Sequence, residues 1–214
     1  MAETPVRDPI QDRAHVTRDR LLEAAVQSFA AVGYEASSTR RIETAAGVKR
    51  GLIGYHFGTK EALWKAAVSW WFERAAVELQ TVEREGANID PVARLRYFVR
   101  AFVRFSARFP EANRLMIREG MDNDWRLEWL TEHIVRPWYE RVRLLFEEAR
   151  TLGAAPAMGF VHFYYILTGA GSLLFSMAPE AEHLAGIDPS SDAVINAHAN
   201  ALADLLFPEV QKGE

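Results

Sequence analysis

Residues 17–64 read TRDRLLEAAVQSFAAVGYEASSTRRIETAAGVKRGLIGYHFGTKEALW, and three short helices joined by tight turns can be laid along them. The first spans about 12–32. Leu21, Leu22, Ala25, Phe29 and Val32 recur in it at three- and four-residue spacing and form one apolar face. Gly33 is its stop signal, and Ser37, Ser38 and Thr39 are N-cap residues for a second helix over about 39–46. Gly47 makes a turn, a third helix follows over about 49–56, and Thr59 caps a fourth. The second and third helices read as a helix-turn-helix. Arg40, Arg41, Lys49, Arg50 and Lys60 crowd around its turn, with Tyr55, His56 and Phe57 just after it. A helix presented this way fits the major groove of DNA, and cations beside it fit phosphates.

The same residues carry a longer signature. Thr17-Arg18, Ala24-Ala25, Phe29, Gly33-Tyr34, Ser38/Thr39 to Ile42, Ala46-Gly47-Val48, Tyr55-His56-Phe57 and Lys60-Glu61-Ala62-Leu63 resemble, in identity and spacing, the DNA-binding domain of TetR-family (tetracycline-repressor-like) regulators. The resemblance covers 48 of the 214 residues. It implies an all-α chain of about nine helices: an N-terminal three-helix DNA-binding domain with its helix-turn-helix, then a helical ligand-binding and dimerisation domain. It implies DNA contacts from Thr39, Arg40, Lys49, Arg50, Gly51, Tyr55, His56 and Lys60. Three positions depart from the family pattern. Lys49 stands where a capping Ser is frequent, Gly54 where an aromatic residue is usual, and Leu52 where the residue is often polar. Gly51 and Gly54 inside one short helix would cost about 1 kcal/mol each relative to Ala.

Composition narrows the alternatives. The chain has no cysteine, which excludes a disulfide, a thiolate nucleophile or a Cys-ligated zinc and suits a reducing cytoplasm. The opening MAETPVRDPIQDR is polar, lacks the apolar core of a signal peptide, and reads as a flexible arm over 1–11. The domains expected after it are 12–58 and 59–214. Net charge is −4 but unevenly divided: residues 1–65 hold ten Lys or Arg against eight Asp or Glu, and the remainder fifteen against twenty-one. The basic character is therefore local to the turn.

Beyond residue 59 the chain reads as helices punctuated by Pro and Gly. A long fourth helix reaches about 85, and Asp90-Pro91 opens a fifth as cap and first-turn proline. Pro110 opens a sixth; 122–150 forms a seventh that Pro137 should kink or break; 156–179 forms an eighth; and Asp188-Pro189-Ser190-Ser191 leads into a ninth ending at Phe207. Residues 157–178 carry no Asp, Glu, Lys or Arg. His162, Tyr164, Tyr165 and several Gly and Ser dilute their hydrophobicity, so burial against the chain's own domain and a second subunit explains them better than a membrane. Helices eight and nine form the dimer bundle in the family. By that resemblance Gly169, Gly171, Leu174, Val194, His198, Leu202 and Leu205 are the expected homodimer contacts.

The aromatic residues of the larger domain have two readings. Phe98, Phe102, Phe105, Trp125, Trp129, Phe160, Phe163 and Tyr164 fit ordinary core packing, and they equally fit the lining of an apolar effector pocket, where the family places one. Arg96, Arg100, Arg104 and Arg108 recur every four residues, as a solvated face pairing with a neighbouring helix or as anchors for an anionic effector. The six histidines show no metal-ligand spacing, and no catalytic or phosphate-loop motif is present, so neither a metal nor a cofactor is expected. The leading expectation is a cytoplasmic, ligand-responsive repressor that binds a palindromic double-stranded operator as a homodimer and is released by a small apolar or aromatic effector. Control by a partner protein is one alternative. A helical enzyme or carrier is the other.

Overall fold

A computed structural model describes residues 9–86, 90–153 and 155–208, and every regular element among them is helical. The chain divides into two compact units, Met1–Phe72 and Glu73–Glu214. That division falls about four helical turns beyond the boundary expected at 58/59. The reason is packing: Leu63, Trp64, Ala67, Val68 and Trp71 at the start of the fourth helix are all buried. Trp64 meets the Tyr34 ring edge-on at 6.4 Å, and Trp70 donates its indole N–H to Asp19 at 3.1 Å.

The N-terminal unit comprises α1 (Pro9–Ala36), α2 (Thr39–Ala45), α3 (Leu52–Phe57) and the first part of α4 (Lys60–Gly86). Its core includes Leu21, Leu22, Ala25, Val26 and Phe29 of α1, with Ile42 and Ile53 from the helix-turn-helix. Val32 is half exposed and lies outside that core. Of the arm expected over 1–11, residues 1–8 lie outside the described residues, and the helix already begins at Pro9. Gly33 breaks the helical path as expected, but a further short turn carries α1 on to Ala36. Thr59 caps α4 by accepting the Ala62 N–H at 3.0 Å.

The C-terminal unit adds α5 (Pro91–Arg108), α6 (Pro110–Glu119), α7 (Trp125–Leu130), α8 (Arg136–Thr151), α9 (Phe160–Ser176), α10 (Ala178–Ala185) and α11 (Asp192–Leu206). A π turn, Thr131–Val135, joins α7 to α8, with the Arg136 N–H reaching back to the Thr131 carbonyl. The break expected from Pro137 thus falls just ahead of it, leaving the proline in a first turn where its missing N–H costs nothing. Pro179 likewise starts a helix rather than ending the region: it sits in the first turn of α10, which bends 73° away from α9. No single helix among the described residues is long and apolar enough to cross a membrane.

Helix α5 lies at the centre of this unit. Leu95, Phe98, Val99, Phe102 and Val103 pack with Val142 and Phe146 of α8, Phe163 and Leu167 of α9, and Ala199, Leu202 and Ala203 of α11. Three of its arginines meet α11 or its C-cap at the same four-residue spacing. Arg96 bonds Asp204 and the Phe207 carbonyl, Arg100 donates to Asn200 at 2.8 Å, and Arg104 to Asn196 at 3.3 Å. The stripe therefore pairs along a neighbouring helix, with one acid and two amides. At the α6–α7 junction, Arg126 is buried against Glu119 at 2.6 Å and also holds Asp124 at 2.6 Å. A buried charge of that kind persists only when fully paired.

Candidate nucleic-acid interface

The turn of the helix-turn-helix is closed by its own backbone. Gly47 donates to the Thr44 carbonyl at 3.1 Å, and Val48 to the Glu43 carbonyl at 3.1 Å. The third helix then starts later than its sequence suggests, at Leu52 rather than Lys49. Lys49 and Arg50 therefore lie in the turn, and Gly51 is the N-cap, left-handed at φ 88°. Only glycine takes that conformation without a steric penalty, so Gly51 carries no helix-interior cost and allows the chain to enter α3 directly. Gly54 alone remains inside the helix, and a Cβ there would meet nothing within 4 Å.

Around this turn the side chains separate into two groups. Arg40, Lys49, Arg50 and Gly51 are exposed, and Tyr55 projects into solvent with 80% of its surface free. Thr39 and His56 are half-buried, with the His56 ring 5.0 Å from that of Tyr55. Arg40, Arg41, Lys49 and Arg50 have no ion pair among the described residues. Four unneutralised cations on one small unit are a favourable arrangement for a polyanion and an unfavourable one for isolation. Lys60 differs. Its ammonium donates to the Glu35 carbonyl at 3.2 Å and stands 4.5 Å from the centre of the Tyr34 ring, so it is half committed to its own unit. Arg18 similarly covers the Phe57 ring at 5.5 Å.

One residue of this site escaped the sequence reading. Glu43 is only 6% exposed, and its carboxylate accepts the Ile53 N–H at 2.9 Å. The signal was available: Thr39, Ile42, Glu43 and Ala46 follow the i, i+3, i+4, i+7 spacing of an inward face, and all four are buried or half-buried.

The residues expected at an effector pocket are only partly brought together. Phe98, Phe102, Phe160, Phe163 and Tyr164 share the core of the C-terminal unit, where Phe146 stacks near Phe163 at 4.9 Å and Tyr139 meets Tyr164 at 4.9 Å. Phe105 is buried beside Phe109 at 5.3 Å, and Trp129 stacks on His133 at 4.8 Å. Neither Trp125 nor Trp129 belongs to the main core. Burial pushes the Tyr164 phenol up to about 12, with Tyr165 and Tyr139 adding to the effect, so it is a neutral hydroxyl at ordinary pH.

The expected dimer contacts also divide. Gly171 is buried, and a Cβ built on it would lie 2.8 Å from the Phe102 ring and 3.5 Å from Leu202. Gly171 and Leu202 therefore face the protomer's own core and leave the set of interface candidates. His198 bonds the Ala170 carbonyl at 2.8 Å and meets the Phe175 ring edge-on, an internal tie between α9 and α11. Gly169 and Leu205 are exposed, and Leu174 and Val194 half so. Beside Gly169 the outer face of α9 carries Val161, Tyr165, Ile166 and Leu173, which sequence reasoning did not select. No cluster able to hold a metal ion occurs among the described residues.

Fold and site together define a helix-turn-helix protein with a separate helical domain. Residues 21–67 match the family described as "Bacterial regulatory proteins, tetR family". The chain is 41% identical over 75 residues to the HTH-type transcriptional repressor AcnR of Corynebacterium efficiens, a match covering 35% of this chain and 38% of that protein. It is 37% identical over 76 residues to the HTH-type transcriptional repressor Rv1474c of Mycobacterium tuberculosis, covering 36% and 39% respectively. The chain thus spans less than two-fifths of the length of either relative. Over the whole fold it is similar to the fatty acid degradation regulator FadR from Bacillus halodurans, with a TM-score of 0.68, 17% identity, and coverage of 97% of this chain and 99% of that one. Residues 21–67 are thus similar to the DNA-binding part of tetR-family regulators, and the fold of the whole chain is similar to that of solved TetR-like structures.

Proposed function

We propose that this protein is a cytoplasmic transcriptional repressor that binds a palindromic double-stranded operator as a homodimer. The observation that carries the reading is the unpaired cation cluster of Arg40, Arg41, Lys49 and Arg50 beside the exposed Tyr55. Lys49, Arg50 and Tyr55 stand at the entry to α3 and on it, where a helix in the major groove reaches base edges. Thr39, Arg40, His56 and Lys60 flank them and serve phosphates. Base and phosphate contacts are separable by experiment, because a phosphate contact weakens all sequences alike and a base contact relaxes specificity by about 1–3 kcal/mol. Operator DNA is first selected from a random pool with the wild-type protein. Arg50→Ala should then lose far more affinity for that operator than for random DNA, whereas Lys60→Ala should lose similarly on both. Equal losses for Arg50→Ala would remove it as a base reader.

A small, mainly apolar or aromatic effector is the proposed signal. Phe98, Phe102, Phe160, Phe163 and Tyr164 supply the apolar surface, and the neutral Tyr164 hydroxyl a polar contact. Phe105, Trp125 and Trp129 join them only if the fold opens. The tight stacking of these rings favours a second reading, in which a partner protein controls the domain. Linkage distinguishes them: an effector that releases DNA tenfold has about 1.4 kcal/mol of differential affinity, and DNA must weaken its binding by the same factor. Calorimetric titration of a cognate ligand should give about tenfold weaker binding when operator is present. Equal affinity with and without operator would show that the ligand is not the inducer.

A further inference from the structure

We propose that Glu43 is the positioning residue that sets the pose of the DNA-reading helix, an inference that rests on the DNA-binding function proposed above. A six-residue helix such as α3 does not hold its shape alone, and its first N–H groups have no partner inside it. The usual remedy is a side chain at the N-cap. Here that position is Gly51, which has none. The cap comes instead from the preceding helix: the Glu43 carboxylate crosses ten residues of sequence to accept the Ile53 N–H at 2.9 Å. The same residue's carbonyl accepts the Val48 N–H at 3.1 Å, so Glu43 holds the turn with its backbone and the next helix with its side chain.

The geometry fixes more than stability. Ile53 is 3% exposed, so its side chain is sunk in the core while its N–H is tied to α2. Those two restraints together fix both the rotation of α3 about its axis and its depth against α2. Tyr55, two residues on, and Arg50, three residues back, take their directions from that setting. The carboxylate also lies at the positive end of the helix dipole, where a negative charge is favourable. It occupies this N–H internally, so the reading helix is held before DNA arrives.

The test compares Glu43→Gln, Glu43→Asp and Glu43→Ala on operator and on random DNA, with thermal melting and hydrogen exchange of the Ile53 amide measured for each. Gln keeps an acceptor at the same reach, so its operator-to-random ratio should stay within about threefold of wild type. Asp keeps the charge but is one carbon–carbon bond too short, so its ratio should fall about tenfold or more, as should that of Ala, with random-DNA affinity nearly unchanged. Exchange at Ile53 should quicken in Asp and Ala but not in Gln. If Ala fails to fold, the Gln–Asp contrast decides alone. An Asp variant as selective as wild type, or a Gln variant as poor as Asp, overturns the proposal. A wild-type protein that prefers no DNA sequence would instead overturn the DNA-binding reading itself.

Discussion

Gly171→Arg should abolish cooperative folding of the C-terminal unit. The backbone of α9 at Gly171 lies so close to α5 that even a methyl group would sit 2.8 Å and 2.9 Å from two carbons of the Phe102 ring. That ring cannot swing away, because it is only 7% exposed and packed within the main core. For Gly171→Ala two effects compete. Helix propensity favours Ala by about 1 kcal/mol. Overpacking a filled core typically costs about 1–3 kcal/mol. Overpacking should win, and Ala should lower the urea midpoint slightly. Arginine adds a long chain and an unpaired charge, with no acid near Gly171 among its closest neighbours. Leaving such a charge uncompensated costs several kcal/mol, against a total stability of about 5–15 kcal/mol for a typical domain. Circular dichroism and calorimetry of the variant should therefore show loss of the C-terminal transition. A Gly171→Arg protein that melts like wild type would mean that α9 does not pack on α5 as described.

The sequence spacing revealed the helix-turn-helix because its turn chemistry is local. Gly47 and the Ala pair before it act within a few residues of themselves and fell where expected, whereas Ser38 stands at the N-cap of α2 without a side-chain cap bond and Ser37 bonds the Gly33 carbonyl instead. The start of α3 was misplaced for an equally local reason. Lys49 and Arg50 are good helix formers, and only the left-handed φ of Gly51, a property of the folded backbone, excludes them from the helix. Glu43 was missed because charge suggested solvent while periodicity placed it inward. In the larger unit, Pro137 lies just after a π turn in a backbone that stays helical, and Pro179 opens a new helix instead of ending an old one, because proline sits in a first turn as readily as after a last one. The division of Gly169 from Gly171 was not legible at all. Both are small residues on one helix, and which of them faces α5 depends on packing against Phe102, 69 residues away in sequence.

Leu173→Arg should give a folded monomer that no longer recognises the operator. Leu173 is two positions beyond Gly171 but on the opposite side of α9, with 49% of its surface exposed beside Val161 at 53% and Tyr165 at 69%. These residues, which share one side of α9, form an apolar face that the protomer does not cover, and α11 exposes Leu205 at 73%. Removing such side chains from water contributes about 25 cal/mol per Å² of apolar surface buried. A two-fold contact buries each patch against its own copy, so one substitution places two arginines in the same seam. Like charges there, short of water, should separate the copies while each protomer keeps its core. The consequence for DNA follows from symmetry. A dimer holds two reading helices at a fixed separation of about 34–36 Å or a multiple of it, and so grips both half-sites at once. A monomer grips one half-site, and specific binding typically exceeds non-specific binding by about a thousandfold or more. Most of that margin should disappear for Leu173→Arg, with random-DNA binding reduced far less. Sedimentation should report the monomer, and melting should stay near wild type. A variant that sediments as a dimer and keeps its operator affinity would place the contact between copies on another face. A variant that unfolds would show instead that Leu173 belongs to the protomer's core, as Gly171 does.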